Sequence, residues 1–165
     1  MPLAPAITDL EKLKEAPALA RLLAWNAAAV QGAKYDREEL TIYIDRPFIR
    51  EACAILRDDH TVPFNFLSDV TCVDWYPSEP RFEVVYHLLS IAQKDRVRLK
   101  VKLSGDDPSV ESLTPVWPAA NFFEREVFDL FGVRFQGHPY LRRILMPEDW
   151  EGYPLRKDYP VEGYR

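Results

Sequence analysis

Prolines recur every six to eight residues along the last part of this 165-residue chain, beyond Gly132. They are Pro139, Pro147, Pro154 and Pro160. Because proline has no backbone N–H and its ring clashes with the preceding helical turn, no long helix can form between them. The same stretch keeps large apolar side chains that follow no regular period, namely Phe135, Tyr140, Leu141, Ile144, Leu145, Trp150, Tyr153 and Tyr159. The sequence therefore predicts an extended docking tail over residues 133–165, whose apolar side chains are covered by the chain's own core or by another protein.

An amphipathic helix is predicted directly before this tail. Asn121 and Glu124 have the spacing of a capping pair, and Gly132 suits the left-handed residue that closes a helix. Thr114, followed by Pro115, offers an earlier start for the same helix. One apolar stripe runs along it, formed by Phe123, Val127, Leu130 and Phe131.

Strand patterns occupy the middle of the chain. In residues 40–45, LTIYID, the side chains alternate as in a half-buried strand, which is predicted to be the first strand. A helix with Pro47 in its first turn follows it. Residues 64–77 are predicted to form a strand broken by turn residues, and residues 82–91 and 96–104 a hairpin. Residues 96–104 alternate apolar with basic side chains, so one face of this strand is expected to pack against the core and the other to lie in water. The predicted fold is α+β, a two-layer sandwich whose mostly antiparallel sheet carries helices on one face.

The first 39 residues are predicted to be helical or loosely packed. Thr8 and Glu11 have the spacing of a capping box, which indicates a short helix over residues 9–16. Pro17 ends that helix or starts another. The predicted organisation is an N-terminal segment of residues 1–39, an α+β domain of residues 40–132 and the tail of residues 133–165.

Composition narrows the classes of function. With 165 residues, of which 47% are hydrophobic, the chain is expected to fold as one domain. Its net charge of -5 argues against a nucleic-acid partner, because such proteins carry an excess of clustered Lys and Arg. No apolar run reaches the roughly 18 to 20 residues that cross a bilayer, and the N-terminus has no signal-peptide pattern. The expected location is the cytosol, with membrane contact only through a partner.

Patterns that carry chemistry are scarce. No glycine-rich phosphate loop occurs, and the three histidines lack the spacing of a zinc site. Cys53 and Cys72 are too few for an iron–sulfur cluster and are expected to be reduced core residues. No catalytic, cofactor-binding or metal-binding residue is predicted.

Three carboxylates lie close together on the predicted helix, those of Glu124, Glu126 and Asp129. Two of them could form an acid–base pair. The arginines nearby, with Arg125 four residues before Asp129, favour ion pairing within the fold or across an interface. His138 is more often a structural hydrogen-bonding residue than a proton carrier in such a position.

A longer pattern runs through the helix and the tail. Glu124-Arg125-Glu126 precedes Asp129-Leu130-Phe131, His138, Arg142 and Ile144-Leu145, and residues 146–160, MPEDWEGYPLRKDYP, continue it. Together with FNFLSDVTCVDW and FEVVYHLLS upstream, the chain from about Leu40 to its end resembles the thirty-kilodalton subunit family of the respiratory-chain NADH dehydrogenase, complex I. The signature and interface residues suggested by this resemblance are Glu124, Arg125, Glu126, Asp129, His138, Arg142, Arg143, Arg156, Lys157 and Asp158.

The resemblance implies a cofactor-free structural and assembly subunit in the hydrophilic arm of a proton-translocating NADH:quinone oxidoreductase. Its implied partners are the large quinone-site subunit and the iron–sulfur subunits, with FMN and the clusters bound by other subunits. The resemblance also implies a peripheral position at the cytoplasmic face of the bacterial plasma membrane, where only the complex holds the chain. Neither nucleic acid nor a direct small-molecule substrate is implied, and the C-terminal segment would wrap a neighbouring subunit.

Three alternatives stay open. The chain could be the equivalent subunit of a membrane-bound hydrogenase or of a quinone reductase fed by another donor. It could be a self-sufficient enzyme that uses Glu124, Asp129 and His138 as acid and base. It could be a stand-alone protein-binding adaptor.

Overall fold

The computed structural model describes residues 5–164. The helices are α1 (Leu10–Leu13), α2 (Pro17–Asn26), α3 (Ile49–Arg57) and α4 (Ala120–Phe131), with short 3-10 turns at Ala27–Ala29 and Arg46–Phe48. The strands are β1 (Val30–Asp36), β2 (Glu39–Ile44), β3 (Phe66–Asp74), β4 (Phe82–Ser90), β5 (Asp95–Leu103), β6 (Ser109–Glu111) and β7 (Arg134–Gln136). Among these residues no helix combines the length and the hydropathy needed to cross a bilayer.

Five strands form one mixed sheet in the order β1-β2-β5-β4-β3. All neighbouring strands in it are antiparallel except β2 and β5, which are parallel. The long crossover connection that parallel strands need contains α3 and the β3–β4 hairpin. β6 and β7 form a separate parallel pair, with α4 as the connection between them. The α+β class and the mostly antiparallel sheet that the sequence predicts are confirmed.

The core lies between one face of the large sheet and α2, α3 and α4. In β5 the apolar side chains are buried and the basic ones between them stay at least partly exposed, as the alternation predicts. On α4, Val127 and Phe131 are buried, and Phe123 and Leu130 pack against the core. The predicted two-layer arrangement, with helices on one face of the sheet, is therefore correct.

The N-terminal segment differs from its prediction. β1 pairs with β2 from Val30↔Ile44 to Asp36↔Glu39, so the first strand precedes residues 40–45 and a boundary at residue 39 divides a hairpin. No sequence pattern indicates β1, because only Ala33 of this strand is buried and no alternation of apolar residues results.

The helices before β1 are also organised differently. α1 is shorter than predicted, and its N-cap is Asp9, whose carboxylate accepts from Glu11 N–H, rather than Thr8. Pro17 stands at the start of α2, which is the second of the two roles considered for it. Residues 1–4 of the predicted N-terminal segment lie outside the described residues.

The body of the fold extends beyond Gly132. Val133 and Phe135 are buried, and β7 completes the small parallel sheet, so these residues are not part of an extended tail. The tail proper comprises residues 137–164, which contain turns and bends but neither helix nor strand. This irregular path agrees with the effect expected of the four prolines.

Candidate protein-docking surface

The C-terminal end of α4 is capped mainly by the tail. A helix leaves its last four backbone carbonyls without partners inside the helix. Gly132 N–H donates to the first of them, on Phe128, at 2.9 Å. The other three accept from the tail: Asp129 from Arg143 Nη1 at 2.9 Å, Leu130 from Leu155 N–H at 3.1 Å and Phe131 from Arg156 Nε at 2.6 Å. Two donors are cationic, which suits the negative end of a helix dipole, so the tail completes the fold of α4.

The Asp129 carboxylate binds the backbone of the tail. Its Oδ2 accepts from three consecutive N–H groups, those of Ile144 at 3.0 Å, Leu145 at 2.7 Å and Met146 at 2.9 Å. Its Oδ1 accepts from Arg143 Nη1 at 2.6 Å. Burial alone would raise the pKa of Asp129, but these donors outweigh burial and hold the pKa below its usual value. Asp129 is therefore a buried, charged anchor for the tail.

Arg143 connects this anchor with a later part of the tail. Its Nη2 donates to the carbonyls of Trp150 and Gly152, each at 2.9 Å. Its guanidinium lies 5.4 Å from the centroid of the Tyr153 ring, within the range of a cation–π contact. The predicted ion pairing of Asp129 is thus made by Arg143, a residue within the tail.

Arg125 does not form the predicted pair with Asp129. It donates instead to two tail carbonyls, from Nε to that of Arg142 at 3.1 Å and from Nη2 to that of Arg143 at 3.0 Å. Arg142 lies 5.0 Å and Arg125 5.8 Å from the centroid of the Tyr140 ring. Helix α4 therefore holds the first half of the tail through two side chains of opposite charge, those of Arg125 and Asp129.

A second anchor joins the last part of the tail to the large sheet. Asp74, at the end of β3, binds Arg81 through both carboxylate oxygens, at 2.9 and 2.8 Å, and Arg81 binds Asp158 of the tail at 3.0 and 2.7 Å. Lys157 N–H also donates to Asp74, at 2.9 Å. Burial would raise the pKa of Asp74, but the hydrogen bonds from Arg81, Lys157 and Tyr76 lower it to about 2. Asp74 is therefore fully ionised at neutral pH.

Gly132 allows the tail to pass close to the end of α4. Its φ of +74° is in the left-handed region, as the sequence predicts for the residue that closes this helix. A Cβ on Gly132 would lie 2.6 Å from both Arg156 Nη2 and Tyr153 Cε2. The Arg156 guanidinium in turn lies over the rings of Tyr153 and Phe82, at 4.5 and 5.1 Å. Only glycine fits both the backbone conformation and this contact.

While its polar groups bind the body, the tail directs many apolar side chains outward. Leu145 is 56% exposed, Leu155 52% and Trp150 40%. The exposed large apolar side chains of the tail are Tyr140, Ile144, Leu145, Trp150, Leu155, Val161 and Tyr164, and Phe122 on α4 is exposed as well. The chain's own core covers only part of the apolar set that the sequence singles out, with Phe135 buried and Leu141 partly buried against it.

Four of the predicted interface residues are exposed, namely Glu126, Arg142, Lys157 and Asp158, which binds Arg81 in the second anchor. Glu126 lies on α4, and Arg142 forms an ion pair with Glu148 at 2.8 Å. The Lys157 ammonium lies 6.0 Å from the centroid of the Trp75 ring. These charges form polar surroundings for the apolar side chains. We call the exposed apolar set, together with these charges, the tail surface.

Glu124 has a different position from the other predicted residues. Its carboxylate has no solvent exposure and accepts from Ser112 O–H and Leu113 N–H, both at 2.6 Å. Burial raises its pKa to about 7, although both hydrogen bonds act in the opposite direction. Within residues 5–164 Glu124 has no ion-pair partner, so the predicted ion pairing does not apply to it.

His138 forms structural hydrogen bonds. Its Nδ1 accepts from Tyr140 N–H at 3.0 Å, so the proton is on Nε2, which donates to the Asn121 carbonyl at 3.1 Å. Burial lowers the pKa of His138, which favours this neutral form. Asn121 does not cap α4, since the helix starts at Ala120 and its N-cap residue, Ala119, makes no side-chain capping bond.

The described residues offer little that would bind a metal. Within residues 5–164 no three His, Cys, Asp or Glu side chains are placed to hold an ion. Cys53 and Cys72 are free and buried, as the sequence predicts, and burial raises the pKa of Cys72 to about 12. Both thiols are therefore protonated at neutral pH.

Comparison with known proteins decides the family. Residues 42–165 match the model of the respiratory-chain NADH dehydrogenase, 30 Kd subunit. The chain belongs to this family. The matched residues of the 30 Kd subunit family include both anchors and the whole tail surface.

Curated relatives in this family carry the name of the C subunit of NADH-quinone oxidoreductase. The chain is 50% identical over 149 residues to the protein of Roseiflexus sp. (strain RS-1), an alignment that covers 90% of this chain and 86% of the relative. It is 46% identical over 138 residues to the protein of Geobacter sulfurreducens, which covers 83% and 84% of the two chains.

Two solved structures share the fold. A trypsin-resistant fragment of Nqo5 (1-134) is 32% identical with a TM-score of 0.62, and the match covers 75% of this chain and 99% of the fragment. A chain of the membrane-bound sulfane sulfur reductase, an archaeal respiratory membrane complex, is 28% identical with a TM-score of 0.72 and covers 87% and 84%. The α+β fold of this chain is therefore that of the 30 Kd subunit family.

The sequence does not predict two of the anchor residues, Asp74 and Arg81. They lie 83 and 77 residues before their tail partners Lys157 and Asp158, so no local pattern connects them. One signal in the sequence points to Asp74, which follows Val70 and Cys72 at the strand period and so occupies a core-facing position. A carboxylate at such a position requires a charged partner.

Proposed function

We propose that this member of the 30 Kd subunit family is a cofactor-free structural and assembly subunit in the hydrophilic arm of a proton-translocating NADH:quinone oxidoreductase. It docks on the large quinone-site subunit, lies beside the iron–sulfur subunits and supports electron transfer from NADH to quinone. FMN and the iron–sulfur clusters are bound by those other subunits. The complex holds it as a peripheral subunit at the cytoplasmic face of the bacterial plasma membrane.

The arrangement of the tail is the observation that carries this proposal. Its polar groups face the body, where Asp129, Asp74 and the end of α4 bind them. Many of its large apolar side chains face outward, although burial against the chain's own core would lower the free energy of a protein that works alone. A partner that covers the tail surface provides this burial.

The composition of the tail surface fits a protein partner. Aromatic and aliphatic side chains contribute most of the affinity in such interfaces once they are desolvated. Charges at the rim, here those of Glu126, Arg142 and Lys157, contribute specificity and register. The relatives named after NADH-quinone oxidoreductase indicate which complex supplies the partner.

A variant that combines Ile144→Ser, Leu145→Ser and Leu155→Ser tests the proposal. Because these side chains are 37%, 56% and 52% exposed in the chain alone, they contribute little to its own stability. Each apolar side chain buried at an interface contributes about 1.5 to 3 kcal/mol. We therefore expect the affinity for the rest of the complex to fall at least about tenfold. The measurement is the fraction of the chain recovered in the assembled complex after purification in a gentle detergent.

Phe66→Ser combined with Ile91→Ser is the matched control. These side chains are 47% and 58% exposed, but they lie at the start of β3 and after β4, outside the tail surface. The control variant is expected to assemble normally. Normal assembly of the tail variant would contradict docking through the tail surface, and normal assembly with lost NADH:quinone turnover would contradict a structural role.

A second candidate function has one observation in its favour. The similar chain in the sulfane sulfur reductase belongs to a respiratory membrane complex with a different named activity. The present chain would then be the equivalent subunit of a membrane-bound hydrogenase or of a quinone reductase with another donor. Identifying the polypeptides in the purified complex separates the two, because only the first function requires a flavin-bearing NADH-input subunit.

A further inference from the structure

The backbone that carries Ile144 and Leu145 in the tail surface is held in place by hydrogen bonds to a side chain of α4. Both side chains are exposed, at 37% and 56%. Their backbone N–H groups, with that of Met146, all point to Oδ2 of Asp129 at 2.7 to 3.0 Å. Three successive N–H groups that converge on one oxygen form a nest, a concave backbone conformation that binds an anion. Here the anion is a side chain of α4.

Asp129 is placed where a carboxylate needs these contacts. It lies in the last turn of α4, at the negative end of the helix dipole, and has no solvent exposure. Both conditions disfavour its charge, and the donors that compensate are the Arg143 guanidinium and the nest. Without the tail in this conformation the carboxylate would lose these donors. Carboxylate and nest therefore stabilise each other.

We propose that Asp129 is a positioning residue for assembly: it fixes the nest so that Ile144 and Leu145 project as a rigid pair into an apolar pocket of the subunit that covers the tail. This inference rests on the proposed function. A segment already ordered in its bound conformation loses less conformational entropy when it binds, so the carboxylate increases affinity without contacting the partner.

Asp129→Asn is the variant that tests this role. The amide has the size of the carboxylate, but it carries no charge and places N–H donors against the N–H groups of the nest or the Arg143 guanidinium. In the full chain, we expect the amide hydrogens of Ile144, Leu145 and Met146 to exchange about tenfold faster or more, the scale of a lost charge-assisted hydrogen bond. The amides of the central strands β4 and β5 should exchange as in the wild type, which shows that the body is folded.

Assembly is measured with the same variants. We expect Asp129→Asn to be recovered in the purified complex at a lower fraction than the wild type. Asp106→Asn, an exposed carboxylate in the loop after β5, is the matched control and should behave as the wild type in both measurements. If Asp129→Asn does not fold, Arg143→Lys replaces it, because lysine keeps the charge but lacks the second nitrogen that binds Trp150 and Gly152.

The double variant Ile144→Ser, Leu145→Ser separates this inference from the proposed function. It is expected to keep slow exchange in the nest and to lose assembly. Unchanged exchange in Asp129→Asn, or faster exchange with wild-type assembly, would overturn the positioning role while docking stands. Wild-type assembly of the double variant would instead show that this pair is not a docking element.

Discussion

Glu124 is a carboxylic acid enclosed by the body of the protein, and its proton affinity depends on folding. Burial raises its pKa to about 7 from the ordinary 4.5, although Ser112 and Leu113 donate hydrogen bonds to it. The folded chain therefore retains this proton at pH values where the unfolded chain has released it. A group of this kind makes the free energy of unfolding fall as pH rises between its two pKa values.

Replacing Glu124 by glutamine should remove this pH dependence. Each pKa unit corresponds to about 1.4 kcal/mol, so the wild type should lose about 3 kcal/mol through this group between pH 4.5 and 7. Glutamine keeps an acceptor for Leu113 N–H and has no charge to bury. We expect Glu124→Gln to match the wild type near pH 5 and to be more stable than it at pH 8. Urea unfolding at a series of pH values measures this.

Glu126→Gln is the control on the same helix, because its side chain is exposed. It should follow the wild-type pH profile. The anchors Asp74 and Asp129 have lowered pKa values, so their contributions are lost at pH values below those at which Glu124 acts. If the free energy of unfolding of Glu124→Gln falls with pH as steeply as that of the wild type, the raised pKa of Glu124 is contradicted.

At the scale of elements, α4 and the tail behave as one unit, since three of the last four helix carbonyls accept from tail donors. Gly132 stands where the two meet, and Gly137 begins the tail. Both have positive φ, +74° and +78°, but a Cβ on Gly137 would meet no atom within 4 Å. Comparing alanine substitutions at the two glycines therefore separates the cost of the left-handed backbone from the cost of a steric clash.

Gly132→Ala should destabilise the protein more than Gly137→Ala. Left-handed backbone costs an alanine about 1 to 2 kcal/mol at either position. At Gly132 the new Cβ would also lie 2.6 Å from Tyr153 and Arg156, so the tail must move away from α4. The free energy of unfolding from urea titration gives the comparison, and equal losses in the two variants would show that the tail does not press on the end of α4.

The elements that the sequence predicts well are those with a long local period. α4 and β5 have enough turns or alternations for one apolar face to be recognised, and both are found where expected. β1 has one buried residue and β7 spans three residues, so neither carries a pattern. The family signature identifies the charged tail residues but not their partners. Arg143 with Asp129 and Asp158 with Arg81 are tertiary contacts, which periodicity does not encode.

At the scale of the whole molecule, the tail is attached to the body at two separate places. Asp129 and Arg143 hold its first half to α4, and Asp74, Arg81 and Asp158 hold its last part to the end of β3. Between and around these anchors many of the large apolar side chains remain exposed. The result is a surface that is ordered by its own chain and still lacks an apolar cover.

Hydroxyl-radical footprinting, applied to the isolated chain and to the purified complex, tests most directly whether another subunit covers this surface. We predict that Tyr140, Leu145 and Trp150, all exposed in the chain alone, oxidise readily there and much more slowly in the complex. Phe66, exposed at the start of β3, should react similarly in both samples. Equal oxidation of the three tail residues in the isolated chain and in the complex would contradict the claim that the tail is a docking surface.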